Sequence, residues 1–302
     1  THRMSSAASD VYKRQPPCLC NAMDQLRKRF DQLTWPEASC AASQPGATVI
    51  WPFGACEQHG PQLPLSTDAV FAEGILDSVL RGLEPAMPIW RLPCQAIGFS
   101  PEHQNFPGTL SLSAPLLLDL VDQVGTQLAA MGVQRLVLFN AHGGQIGLLQ
   151  VAARQLRARC PSLAVLPCFL WSGVEGLADL LPEQELAHGL HAGQAETSLM
   201  LQMAPELVGS ARPVDGRPAP GSAQDPPAGW SLEGAAPCAW LTDDLSATGV
   251  IGDARQASAD LGRCLQDRLI NHWQERFQAL LASDWPPTQS LLSQPSNITP
   301  KS

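Results

Sequence analysis

The sequence predicts an α/β protein: a three-layer α/β/α sandwich around a mainly parallel sheet, in a single domain. Two observations carry that prediction. Short apolar runs that read as buried strands alternate with longer amphipathic stretches that read as helices, which is the rhythm of successive βαβ units. The chain also has 302 residues, of which 44% are hydrophobic and 16% charged, ample material for one large core, and it shows neither an internal repeat nor a second core.

The elements follow in order. ATVIWPF, residues 47–53, reads as a buried strand, and TDAVFAEGILDSVLRGL, residues 67–83, as an amphipathic helix begun at Thr67 or Asp68. MPIWRLPC, residues 87–94, is a second strand interrupted by prolines. SAPLLLDLVDQVGTQLAAMG, residues 113–132, predicts a long helix that Ser113 caps and Gly132 ends, leading into the strand RLVLFN, residues 135–140. After AHGGQ come a helix in IGLLQVAARQLRARC, residues 146–160, and a strand in LAVLPCFLW, residues 163–171. AETSLMLQMAP, residues 195–205, gives a further helix, and residues 255–283 a long terminal one. Open α/β sheets bind their ligands at the carboxyl ends of parallel strands, so the loops after residues 53 and 140 are the ones to inspect.

The flanks differ from this core. Residues 1–15, THRMSSAASDVYKRQ, end in DVYKRQ, which back-translates to GATGTGTATAAGAGACAG, a sequencing-adapter end, and are set aside as an artefact. Residues 16–22 form an uncertain leader, residues 23–283 the hydrolase-like domain defined below, and residues 284–302 a flexible Pro- and Ser-rich tail. Within the domain, residues 212–236 are rich in Pro, Gly and Ala and read as a long surface loop.

Charge and cysteine usage narrow the function. The net charge is -9 and the only basic cluster is the short LRKRF, so nucleic acid is excluded as the main partner, because phosphate binding needs concentrated Lys and Arg. No apolar run approaches the roughly 18 residues that crossing a bilayer takes, and no secretory leader is recognisable. The nine cysteines form no CxxC pair, so free thiols in a cytoplasmic, reducing setting are the expectation. No GxGxxG or GxxxxGK[ST] occurs, which leaves nucleotide cofactors without support.

Three segments supply ionisable groups. GACEQHGPQLPLSTD, residues 54–68, gives Glu57, His59 and Asp68; NAHGGQ gives His142; HGLHAGQAETS gives His188, His191 and Glu196. In extended chain Glu57 and His59 point the same way, so the pair can converge on one point. Carboxylates and imidazoles in this mixture suit Zn, Mn or Fe, and a bridging carboxylate would set two ions about 3.5 to 4 Å apart. Each histidine alone also fits a hydrogen-bonded structural residue, and spacing leaves both readings open. Cys56 has no Lys or Arg nearby to lower its pKa, which argues against a thiol nucleophile. Gly54, Gly60, Gly143 and Gly144 read as places where the backbone turns sharply or comes close to metal or substrate.

WPFGACEQHGPQLPLSTD, PEHQNFPGTLSL, FNAHGGQ, HAGQAETSLML and TGVIGDARQAS, spanning about Val49 to Ala259, resemble in order the signatures of the creatininase (creatinine amidohydrolase) family. The resemblance implies the same sandwich fold, a binuclear centre of two divalent ions (Zn, with Mn or Fe as alternatives), and hydrolysis of carbon–nitrogen bonds other than peptide bonds. It also implies a homo-oligomer, a hexamer in many members. Residue by residue, Glu57 and His142 resemble ligands of one metal, His59 and Glu196 of the other, Asp68 the bridge, and His191 the catalytic proton shuttle. His191 also fits a partner that orients Glu196 or another ligand. Creatininase proper has an acidic ligand two residues after the His of NAHGGQ, where this chain has Gly144, so Glu196 is the substitute and creatinine itself is not the expected substrate. The family also includes a formamidopyrimidine deformylase and a peptidase that trims a redox-cofactor precursor, and a small amide or formamide is the expectation. Glu102 and His103 of the PEH segment are expected at the pocket rim or in a neighbouring subunit's site, and Trp171 to stack on a flat substrate or to pack at its strand end. His188 reads as exposed or capping. The alternative function is a non-catalytic hexameric member that retains a structural metal site.

Overall fold

Four strands, β1 (Thr48–Phe53), β2 (Ile89–Arg91), β3 (Arg135–Asn140) and β4 (Ala164–Phe169), lie parallel in the order β2-β1-β3-β4 in the computed structural model. It describes residues 28–216, 221–223 and 225–286; the adapter-like segment, the leader and the tail beyond residue 286 lie outside the described residues. β1 and β3 pair in register from Thr48↔Arg135 to Phe53↔Asn140. The chain leaves β1 toward β2 on one side and, after β3, continues toward β4 on the other. The loops after β1 and β3 therefore start side by side at the switch point of the sheet, where such folds open a crevice.

Alternation of side chains across the sheet makes the layers. Ile50, Val137 and Phe139 face a core shared with α2 (Thr67–Arg81), α6 (Gln194–Met203) and α8 (Ala259–Leu281). Their neighbours Val49, Trp51, Leu136 and Leu138 face the opposite way, against α3 (Ala114–Met131) and α4 (Ile146–Arg159). Because both faces are covered, β1 and β3 are buried at every position, as parallel strands require. On the first face Phe139 meets Trp273 edge-to-face, ring centroids 5.0 Å apart.

The predicted elements recur with shifted ends. α3 follows Ser113 and stops at Gly132, whose φ of 107° is the left-handed C-terminal turn that glycine permits; Ser113, however, makes no side-chain capping bond. α8 starts at Ala259 because Ser258 Oγ accepts from Leu261 N at 3.2 Å. β2 keeps only three residues of its predicted run, held between Pro88 and Pro93. Three helices were not expected: α1 (Trp35–Ala42), α5 (Glu183–His188) and α7 (Thr242–Leu245). α1 has a readable signal, since Thr34 and Glu37 form a capping box and Pro36 sits in the first turn. Within the stretch read as a loop at 212–236, Val214–Asp215 forms β5, antiparallel to β6 (Gly252–Asp253). Cys40 is disulfide-bonded, against the expectation of free thiols, while Cys56, Cys94, Cys160, Cys168, Cys238 and Cys264 are free. Among the described residues no helix is long and apolar enough to cross a membrane.

Candidate metal centre

Three backbone devices carry the charged residues to the crevice. A Cβ on Gly54 would lie 2.5 Å from Ala69 N, so glycine lets the exit of β1 press against the first turn of α2. That contact brings Glu57 and His59 over Asp68, the second residue of the helix, where its charge also meets the positive end of the helix dipole. At the exit of β3, the Asn140 side chain accepts from His142 N at 3.0 Å and donates to His142 O at 2.6 Å, which fixes the backbone at His142. The third device is Ala192, a buried non-glycine residue with φ 51°. Its N–H donates to Glu196 Oε2 at 2.6 Å and its carbonyl accepts from Gln62 Nε2 at 2.8 Å, so a locally unfavourable conformation is clamped between His191 and Glu196.

The side chains converge. Glu57 Oε1 lies 3.2 Å from His142 Nδ1, 3.5 Å from His103 Nε2, 3.8 Å from His191 Nδ1 and 3.9 Å from His59 Nε2. Asp68 spans two histidines with different oxygens, Oδ1 at 3.4 Å from His59 Nε2 and Oδ2 at 3.3 Å from His142 Nδ1. Glu57, His59, Asp68, His103, His142 and His191 are all buried. Four overlapping groups offer ligand atoms within 4.8 Å of one another: Glu57, His59 and Asp68; Glu57, Glu102 and His142; Glu57, His103 and His191; and His59, His191 and Glu196. Glu57 Oε2, His59 Nε2 and Asp68 Oδ2 are buried and make no well-aligned hydrogen bond, the last two having only the ion-pair contacts with Asp68 and His142 just given, a costly arrangement unless something else satisfies them.

The electrostatics show what these groups lack. Burial opposes the charge of His59, yet Asp68, Glu57 and Glu196 raise its pKa to about 9. His142 is raised too, against burial, chiefly by Glu57 and Asp68. Asp68 is held well below the usual carboxylate range, against burial, by His59 and His142, whereas burial lifts Glu196 to about 7. Without metal the site holds protons as its cations, and divalent ions are the natural replacement. Burial, with His59 and His103 alongside, drives the pKa of His191 well below its ordinary value, so its ring is neutral.

A cavity of about 620 Å³ opens onto the cluster, with Glu102, Trp171, Trp240 and Leu241 in its walls. Trp171 lines the cavity and also packs edge-to-face on Phe71, ring centroids 6.2 Å apart. Glu102 is in the wall, its Oε1 3.4 Å from His142 Nε2. His103 lines the same cavity, but it is 2% exposed and sits inside this chain's own cluster, because the 3-10 turn Pro101–His103 directs it inward. Gly143 and Gly144 both line the cavity; a Cβ on Gly144 would run into Glu102 Oε1 and His142 Nε2, whereas one on Gly143 would meet nothing within 4 Å. His188 is exposed, as expected. Sequence reasoning missed Trp240 and Glu185; a tryptophan closing a Pro/Gly-rich stretch was a usable signal for the first, and nothing local marked the second.

Comparison with known proteins identifies the family and supports the fold. The family model described as "Creatininase: Creatinine amidohydrolase" matches residues 31–277. A mycofactocin precursor peptide peptidase of Mycobacterium ulcerans is 35% identical over 229 residues, 74% of this chain and 82% of that protein. Creatinine amidohydrolase of Pseudomonas putida is 30% identical over 202 residues, 62% of this chain and 76% of that one. The solved structure described as "Creatininase Mn" superposes with a TM-score of 0.68 at 24% identity, covering 85% of this chain and all of that one, which supports the fold. The chain belongs to the creatininase family of carbon–nitrogen-bond hydrolases.

Proposed function

We propose that this chain is a binuclear-metal-dependent amidohydrolase that cleaves a C–N bond in a peptide-type amide. One observation carries the metal: Glu57 Oε2, His59 Nε2 and Asp68 Oδ2 are buried, point into one cluster and make no well-aligned hydrogen bond. A divalent pair would satisfy them, held by Glu57, His59, His142 and Glu196 together with Asp68, whose two oxygens face His59 and His142. When bound, such ions polarise the scissile carbonyl and lower the pKa of water to near neutrality. The description of a solved neighbour as the Mn form and the N/O donor set leave Zn, Mn and Fe as candidates.

The chain's own residues do the rest. His191 Nε2 lies 2.7 Å from Gln58 O, which accepts the ring's N–H, so the Nδ1 lone pair faces the cluster and is placed to take a proton and pass it to the departing nitrogen. Trp171 and Trp240 wall the cavity and shield the reacting group from bulk water. Within the small amide or formamide expected from the sequence, the similarity to peptidases of the mycofactocin precursor favours a peptide-type amide. Assembly as a homo-oligomer belongs to the same proposal and is read by light scattering.

The test is elemental analysis coupled to a screen of short peptide amides, formamides and creatinine for released amine or formate. Two metal equivalents per chain and an activity that chelation abolishes and Zn, Mn or Fe restores are expected. A stripped protein that keeps full activity overturns the proposal.

A further inference from the structure

Four histidine rings face Glu57, and three are oriented alike. The outer nitrogens of His59, His142 and His191 lie 3.2, 3.0 and 2.7 Å from the carbonyl oxygens of Glu57, Phe99 and Gln58. A carbonyl only accepts, so each outer nitrogen carries hydrogen, which leaves the inner nitrogen as the one that can offer a lone pair to a metal once any proton on it is lost.

His103 is set the opposite way. Its outer nitrogen, Nδ1, lies 2.9 Å from Gln58 Nε2 and 2.7 Å from Thr242 Oγ1. The orientation of the Gln58 amide follows from its other contacts, because Oε1 accepts from Gly60 N at 2.9 Å and Nε2 donates to Gly249 O at 3.0 Å. An amide NH2 donates and cannot accept. Its second hydrogen therefore goes to His103 Nδ1, which must hold a lone pair, and the ring's hydrogen sits on Nε2. That nitrogen is directed at Glu57 Oε1, 3.5 Å away.

We infer that His103 is the N–H donor of this site and not a metal ligand: the Gln58 amide fixes its tautomer, and its Nε2–H faces Glu57 Oε1 at 3.5 Å, leaving the partnerless Oε2 for metal. Spacing alone would admit His103 as a ligand, since Glu57, His103 and His191 form one of the metal-capable groups. Ligation through Nε2 would require both ring nitrogens to lack hydrogen, an imidazolate facing a carboxylate, and the Gln58 contact excludes the alternative with hydrogen on Nδ1. His103 is thus a positioning residue that acts through Glu57, and this role rests on the reading of Glu57 as a ligand.

The test is long-range ¹⁵N–¹H correlation of histidine rings in the full chain loaded with zinc, with the His103 signals assigned by their loss in His103→Asn. Hydrogen on Nε2 and an unprotonated Nδ1 are expected; hydrogen on Nδ1, or a zinc-shifted Nε2, overturns the inference. A second measurement uses metal content. At saturating zinc, His103→Ala keeps both equivalents while its zinc affinity falls roughly 10- to 100-fold, the range for a residue that orients a ligand, whereas His59→Ala loses one equivalent. A His103→Ala protein that loses an equivalent at saturation makes His103 a ligand and ends the proposal; unchanged affinity ends the positioning role. If the wild-type chain binds no zinc but shows the Nε2–H tautomer, the metal-centre proposal fails while the tautomer assignment holds.

Discussion

Glu185 ties the backbone around His191 together, so its removal should cost stability and activity at once. The carboxylate is buried on α5; Oε1 accepts from Gln194 N at 2.6 Å and Oε2 from Asp253 N at 3.2 Å. Gln194 opens α6, where the first N–H groups have no helical partner and a negative charge is favoured. Asp253 belongs to β6 and lies two residues beyond Ile251, whose backbone exchanges bonds of 3.0 and 2.8 Å with His191. Glu185→Ala strands two buried N–H groups, each worth about 1 to 3 kcal/mol when unpaired. Glu185 lines the cavity, so water entering there recovers part of this, and the net loss should be about 2 to 4 kcal/mol. At about 2 to 4 °C per kcal/mol for a chain of this size, Tm falls by roughly 4 to 16 °C. Thermal denaturation followed by circular dichroism on zinc-loaded protein measures this, alongside kcat, which should also fall as His191 loses its fixed position. A Tm within about 2 °C of wild type together with unchanged kcat would refute the reasoning.

Two further outcomes are expected. In metal-free protein the pKa of His59 stands near 9 and that of Glu196 near 7, both above their ordinary values. A raised folded-state pKa means the folded state binds more protons than the unfolded, so stability falls as pH rises through it. The metal-free form should therefore lose Tm between about pH 6.5 and pH 9, while zinc, which needs the deprotonated groups, binds more tightly over that window. The Tm gap between loaded and stripped protein should widen with pH, and a gap that stays constant or narrows contradicts the cluster's electrostatics. The second outcome separates adjacent glycines: Gly144→Ala pushes on Glu102 and His142 and should cost about 1 to 3 kcal/mol and weaken metal binding, whereas Gly143→Ala meets nothing within 4 Å and should behave as wild type. Titration calorimetry with zinc distinguishes them.

The central strands and long helices were legible because their signals are long and mutually consistent: RLVLFN is buried at every residue, and the helix after Ser113 ends at the left-handed Gly132. Elements decided by tertiary contacts were not. α5 and α7 are six and four residues long, too short for a periodic signal. β5 exists only through pairing with β6, across a separation no local pattern encodes.

The same division runs through the site. Glu57, His59, Asp68, His142, His191 and Glu196 could be proposed from sequence because residue type displays a possible donor set and the resemblance to a family implies roles within it; the fold brings these side chains together. His103 could be named at the pocket but not given a role, because its role depends on a second relationship. Whether an imidazole ligates or donates depends on which ring nitrogen carries hydrogen, and that depends on the partner of the other nitrogen. For His103 those partners are Gln58, adjacent to Glu57, and Thr242, 139 residues away in α7. Gln58 in turn is oriented by Gly249, 191 residues distant. A histidine in a metal cluster is thus an ambiguous letter until the fold supplies its second neighbour. Here the fold supplies carbonyls to three rings and an amide N–H to the fourth, which divides the histidines of the centre into three whose hydrogen is held outward, leaving the inner nitrogen for metal, and one donor.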